Sequence, residues 1–265
     1  MSPDLDRLWH LGVESARFRA VLQDAAPDAR VPTCPDWDVA DLVWHLTEVQ
    51  YFWAAVVRQQ QTDLDRVDTE NLTRPVKYRE LLRLSDRCTR DLVAVLRRTP
   101  PGTPVWTWAE DQSAGFVLRR QAHEALIHRV DAECVTDERS GMDPTLAADG
   151  VDEALRVMFG GAPSWAELTV DEHAAVRVTC TDTGHAWHVS LARYAGTDEE
   201  GTDQAGGTLQ IALLDPGTPT AAHVSAAAAD LDCWLWGRPP PGEVNLSGDV
   251  AVLAGLREVV SAGVQ

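Results

Sequence analysis

Apolar residues recur at helical spacing through the first half of the chain and switch to alternation in the second. Over residues 5–24, Leu8, Leu11, Val13 and Phe18 outline a first helix, which the loop Val31-Pro32-Thr33-Cys34-Pro35-Asp36 separates from the next. Asp38 is suited to cap a second helix running to about residue 60, with Asp41 at its third position and Trp37 placed to pack on Leu42. The apolar face of that helix carries Leu42, Leu46, Val49, Phe52, Trp53 and Val56, and His45 falls on the same inward side. Leu81, Leu84, Leu92 and Leu96 mark a third helix over residues 75–98, ended by Thr99-Pro100-Pro101-Gly102. A fourth spans residues 114–137, and four such segments joined by short turns predict an antiparallel four-helix bundle.

Beyond Ser140-Gly141-Met142-Asp143-Pro144 the pattern changes. A short helix at residues 146–159 precedes two alternating runs, 176–180 and 187–191, which flank the turn Asp182-Thr183-Gly184 as a hairpin. Residues 208–213 and 244–246 read as further strands, and 225–235 and 249–261 as helices. The fold class is therefore α+β, with a helical bundle over residues 1–143 and a smaller α+β domain over 144–265, each long enough to bury a core.

Charge narrows the partners. A formal charge of −18 disfavours nucleic acid and anionic membrane surfaces, which leaves small organic molecules. Lys77 is the single lysine among 23 basic residues, so the cationic side chains are almost all arginine. The five cysteines, Cys34, Cys88, Cys134, Cys180 and Cys233, are scattered without a C-x-x-C pair and read as reduced thiols. Residues 1–6 show no leader pattern, and no run approaches the roughly 18 apolar residues of a membrane span. A cytoplasmic monomer or homodimer is expected.

The chemistry concentrates in Arg119-Arg120-Gln121-Ala122-His123-Glu124-Ala125-Leu126-Ile127-His128-Arg129-Val130-Asp131-Ala132-Glu133. At about 100° per residue, Glu124, His128 and Asp131 fall within an arc of roughly 60° among apolar neighbours. A buried carboxylate needs a partner, and a divalent cation held by His45, Glu124 and His128 would supply one; a hydrogen-bonded core pair is the plainer alternative. Asp131, one turn beyond His128, is placed to orient a ligand imidazole, or else to pair with Arg120 or Arg129. His123 points about 100° away from Glu124 and reads as a packing residue. Cys34 is either an extra soft ligand or a small buried hydrophobe. Trp44 and the run Trp106-Thr107-Trp108 could border a pocket, although ten tryptophans fit core packing at least as well. Alternation sends His185 and His188 to opposite faces of their strand, against a shared metal with Asp182. Arg238, closing an apolar helix, either complements the helix dipole or clamps a substrate carboxylate.

The segment from Val31 to Leu46 and the run from Arg119 to Glu133 together resemble the mycothiol-dependent maleylpyruvate isomerase family, a branch of the DinB-like metal-binding bundles. The resemblance extends to that family's sterol-carrier-like C-terminal domain through Ala228-Ala229-Asp230-Leu231-Asp232-Cys233-Trp234-Leu235-Trp236-Gly237-Arg238-Pro239 and Ser247-Gly248-Asp249. It implies zinc on His45, Glu124 and His128, and mycothiol as thiol cosubstrate. Under it, the metal activates the low-molecular-weight thiol for addition to a small electrophile, either in cis–trans isomerisation or in S-transfer, with Arg238 and Asp131 as catalytic residues. The bundle family serves several activities, so the electrophile stays open. Two imidazoles and a carboxylate also suit iron(II). A non-catalytic metal-stabilised protein that binds a small molecule or lipid is the alternative of a different class. A zinc-containing anti-sigma-like regulator is disfavoured because its His-x-x-x-Cys-x-x-Cys spacing is missing.

Overall fold

A computed structural model describes residues 5–69, 72–198, 200–212 and 219–262. Residues 1–4 and 213, covered by the leader and strand readings above, lie outside this set. The chain divides into two compact units, Pro3–Gly141 and Met142–Gln265.

The first unit is a four-helix bundle. Helix α1 (Arg7–Leu22) starts where the Asp6 side chain accepts a hydrogen bond from the Trp9 amide at 2.9 Å. Two short strands follow, β1 (Arg30–Val31) and β2 (Cys34–Asp38), paired antiparallel. The sequence reads this stretch as a loop because Pro32 and Pro35 each remove a backbone donor. The pairing survives because few ladder bonds are needed in so short a hairpin. Asp38 then begins α2 (Val39–Gln59) with a reciprocal capping box: its carboxylate accepts from the Asp41 amide at 2.8 Å, and that of Asp41 accepts from the Asp38 amide at 3.2 Å. Helix α3 (Tyr78–Arg98) begins after Pro75 and stops before the Pro100-Pro101 pair. Helix α4 (Ala114–Thr136) is capped by Ser113 and closed by Asp137 in the left-handed region at φ 56°.

Around the bundle α1 packs on α4 and α3, and α2 packs on α3 and α4, so the ring order is α1, α4, α2, α3. Helix α4 is buried on nearly all sides, which explains why polar side chains such as Gln121, His123 and Arg129 lie inside. Leu42 and Leu46 of α2 join Phe18, Leu22 and Leu81 in one core cluster, each fully buried leucine stabilising the fold by about 1.5–3 kcal/mol. Arg129 lies fully buried between Glu14 at 2.8 Å and Glu133 at 2.8 Å, and it also donates to the Ser140 hydroxyl.

The second unit opens with α5 (Pro144–Glu153), capped by Asp143 and continued by a π turn, Ala154–Met158. Strands β3 (Ala166–Cys180) and β4 (Ala186–Thr197) form the expected hairpin, and β5 (Asp203–Ala212) follows. Next come β6 (Ala222–Ala226), α6 (Ala228–Leu235), β7 (Asn245–Gly248) and α7 (Val250–Ala262). The sheet order is β5-β4-β3-β6-β7, with β6 parallel to β3 and the other neighbours antiparallel.

Residues 225–226, expected to begin a helix, instead end β6. Ala222, Val224 and Ala226 alternate into the core, and ladder pairing with β3 overrides alanine's helix preference. The α6 N-terminus is fixed by Asp182, which accepts from the Ala228 amide at 3.0 Å. Helices α5, α6 and α7 share a single apolar cluster with Val176, Val178 and Val189 of the sheet. Gly150 is required in that packing, since a Cβ there would sit 2.7 Å from the buried Asp232 carboxylate. The α+β class is as the sequence predicts, and among the described residues no helix is long and apolar enough to cross a membrane.

Candidate metal centre

The capping box sets the register of α2, which brings His45 to the side facing α4. Its Nε2 lies 3.2 Å from Glu124 Oε1, and His128 Nε2 lies 3.0 Å from the same oxygen. The two imidazole rings meet edge to face with centroids 4.9 Å apart. One ligand atom from each of His45, Glu124 and His128 falls within 4.8 Å of the others, and among the described residues no other such group of three or more converges.

This spacing fits a small divalent cation. Ligand bonds of about 2.0–2.2 Å in tetrahedral array separate donor atoms by roughly 3.3 Å, close to the two nitrogen–oxygen distances found here. The donor set, two imidazoles and one carboxylate, leaves at least one position open on such an ion. His45 is the more accessible ligand, its side chain 29% exposed against 8% for His128.

Asp131 is fully buried and receives His128 Nδ1 at 2.9 Å. That contact fixes the tautomer and leaves Nε2 toward Glu124. Arg120 donates to Glu124 Oε2 at 3.1 Å, which leaves Oε1 toward the histidines, and Arg129 is committed to Glu14 and Glu133. Asp131 also accepts from the β1–β2 hairpin, where the Thr33 hydroxyl donates at 2.5 Å and the Cys34 thiol at 3.8 Å. Cys34 therefore supports the supporting carboxylate.

Electrostatics follow this geometry. Burial opposes charge on Glu124, but the His128 charge, hydrogen bonds from both histidines and Arg120 hold its carboxyl well below the usual range. Burial likewise opposes protonation of His128, yet Glu124 and Asp131 outweigh it and raise the imidazole to about 9. In that state the imidazolium donates from both nitrogens; loss of the Nε2 proton turns the same atom into a lone pair aimed at the cation position.

Trp37 has a role the sequence did not disclose. Its ring lies 4.7 Å from that of His45 and 6.2 Å from that of His128, so it shields both imidazoles while packing on the core. The available signal was its position immediately before the Asp38 cap. Trp106 stacks on Trp53 with centroids 5.9 Å apart, while Trp108 packs edge-on against Phe116. Trp44 is part of the core packing and His123 is buried.

A family model of the mycothiol maleylpyruvate isomerase N-terminal domain matches residues 8–133, and a model of the MDMPI C-terminal domain matches residues 145–255. The chain belongs to the mycothiol maleylpyruvate isomerase family. A fold of the same kind occurs in the crystal structure of the mycothiol-dependent maleylpyruvate isomerase, with a TM-score of 0.59 and 14% identity over 92% of this chain and 93% of that one. A histidine-to-alanine mutant of that enzyme gives a TM-score of 0.58 over the same shares, also at 14% identity. No curated sequence matches the chain. Both family models match within this one chain, so the C-terminal residues belong in the same account.

There Arg238 follows α6 and donates to the Trp236 carbonyl at 2.7 Å. It lines a cavity of about 400 Å³ with Trp234, Arg257 and Ser261. Asp182 is occupied in capping α6, and His185 bonds Thr183 at 3.0 Å, so the hairpin assembles no second centre.

Proposed function

We propose that this protein is a zinc-dependent enzyme that activates a low-molecular-weight thiol, mycothiol, for addition to an electrophilic small molecule, with cis–trans isomerisation of a maleylpyruvate-like substrate as the reaction. A metal-binding domain over residues 1–143 and a sterol-carrier-like domain over residues 144–265 make up the enzyme. The observation that carries this reading is the convergence of His45 and His128 on one oxygen of Glu124, with Asp131 behind His128. Family membership is the support for the thiol and for the choice of substrate class.

Zinc held by His45, Glu124 and His128 supplies Lewis acidity that favours the thiolate over the thiol at neutral pH. Asp131 keeps the His128 tautomer and ring orientation fixed, Arg120 restrains the second oxygen of Glu124, and Trp37 excludes water from the imidazole faces. The thiolate adds to the cis double bond of the substrate and the electron pair moves onto the conjugated carbonyl. The resulting single bond rotates, and elimination of the thiolate restores the double bond as trans. Arg238 is the residue assigned to a substrate carboxylate.

S-transfer is the second reading. Of Arg119, Arg120 and Arg129, the basic residues in the motif, Arg120 and Arg129 are paired with carboxylates, which weakens the case for a dicarboxylate substrate near the ligands. Zinc-loaded protein assayed with mycothiol and maleylpyruvate should form fumarylpyruvate, with turnover abolished by His45→Ala and by omission of thiol. Stable conjugation of a generic electrophile instead would select S-transfer. Zinc retention without thiol binding or turnover would overturn both in favour of a binding protein.

A further inference from the structure

The bundle carries a second chemically distinctive region on the side built by α1 and α3, opposite the α2–α4 side that holds His45, Glu124 and His128. A groove of about 560 Å³ runs between these two helices. Arg19 lines it from α1, and Arg83, Arg87 and Arg90 line it from α3, with Asp86 as the single carboxylate of the lining. Ala16 and Ala20, one turn apart on α1, keep that wall low and the groove open.

Asp86 cannot neutralise this set. It bonds Arg19 at 3.2 Å and Arg90 at 2.9 Å, so two guanidiniums already share it. Among the described residues, Arg83 and Arg87 form no ion pair. They lie one turn apart, with Arg90 a further turn on, an arrangement whose mutual repulsion destabilises a helix unless an anion intervenes. Arg19 is largely buried, its side chain 15% exposed, and its second nitrogen donates to Thr89 at 2.8 Å. Thr89 in turn bonds Gln50, which bonds Ser15, so the guanidinium is held in place by a buried chain of hydrogen bonds. Such a concentration of uncompensated positive charge stands out on a chain of net charge −18.

We propose that this groove binds a small organic polyanion bearing at least two phosphate or carboxylate groups. Guanidinium forks match the oxygens of both groups bidentately. The groove volume is that of a small-molecule site, and the overall negative charge repels nucleic acid and anionic lipid surfaces at long range. The bound anion bridges Arg83 and Arg87 and relieves their repulsion, while the tethered Arg19 provides the rigid wall.

The test is isothermal titration at constant, roughly physiological ionic strength with inorganic pyrophosphate and citrate as probes, and orthophosphate and acetate as single-group controls. Saturable binding of pyrophosphate or citrate is expected, at least about tenfold tighter than the matching control. The tighter of the two probes identifies phosphate or carboxylate as the preferred group. The Arg83→Gln/Arg87→Gln double variant should weaken that binding by about tenfold or more, with zinc content and the circular dichroism spectrum unchanged. His45→Ala should leave it intact, which separates the groove from the metal centre. Absence of saturable heat, equal binding by the double variant, or loss of binding in His45→Ala overturns the proposal, and none of these outcomes bears on thiol-dependent turnover.

Discussion

Replacing Asp131 by asparagine removes one negative charge from a fully buried position and changes little else in volume. The carboxylate receives His128 Nδ1 at 2.9 Å and the Thr33 hydroxyl at 2.5 Å. An amide can present its single oxygen to one of these donors, leaving its NH₂ group against the other. A hydrogen bond to a charged group contributes about 1.5–3 kcal/mol, equivalent to roughly ten- to a hundredfold in an equilibrium constant. The same range is typical when a carboxylate behind a metal-bound histidine is lost. Zinc affinity of Asp131→Asn, measured by competition with a chromophoric chelator at neutral pH, should therefore fall by about ten- to a hundredfold with the helical signal retained. Affinity within about twofold of the parent protein, with Thr33 and the hairpin undisturbed, would refute the assignment of Asp131 as the group that orients His128.

Arg129→Met leaves Glu14 and Glu133 buried, each 2% exposed, without their shared cation. A loss of about 3–5 kcal/mol in urea denaturation is expected, and a change under about 1 kcal/mol would contradict the network's role. In the metal-free protein, His128 rises from an ordinary value of 6.5 to about 9, so its charged form favours the fold. That contribution is complete below 6.5 and disappears as pH climbs through about 9. Glu124 works in the opposite direction, favouring the fold above its ordinary 4.5 and losing that contribution in acid. Thermal melts of metal-free protein should thus show the midpoint falling between neutral pH and pH above 9, with His128→Gln flattening the trend; an unchanged slope in that variant would sink the assignment.

Much of the bundle is legible because its signals are local. The Asp38–Asp41 box, the proline stops and the apolar face beside His45 all lie within a few residues of what they determine. The choice between partners for Asp131 was not local. Arginines at neighbouring helical positions compete on paper with a histidine, and only packing sends Arg129 to Glu14 on another helix. The β1–β2 hairpin escaped notice because its prolines conceal the strand pattern, and with it went the contacts of Thr33 and Cys34. The alanine-rich stretch before α6 reads as helix until β3 supplies a ladder partner. The arginine groove needed both α1 and α3 in place, since neither helix alone contains it.

The sequence separations within the centre carry a consequence for biogenesis. Thr33 and Asp131 are 98 residues apart, and His45 and Glu124 are 79 apart. No nascent chain that stops short of α4 contains the full donor set, so capture of the proposed ion would wait until α4 has been synthesised and docked. A chain stalled or cut before that helix retains Thr33 and His45 but lacks Glu124, His128 and Asp131. Under the proposed metal binding, loading would be a checkpoint on completed bundle assembly, recording that the first hairpin and the last helix of the bundle have found one another.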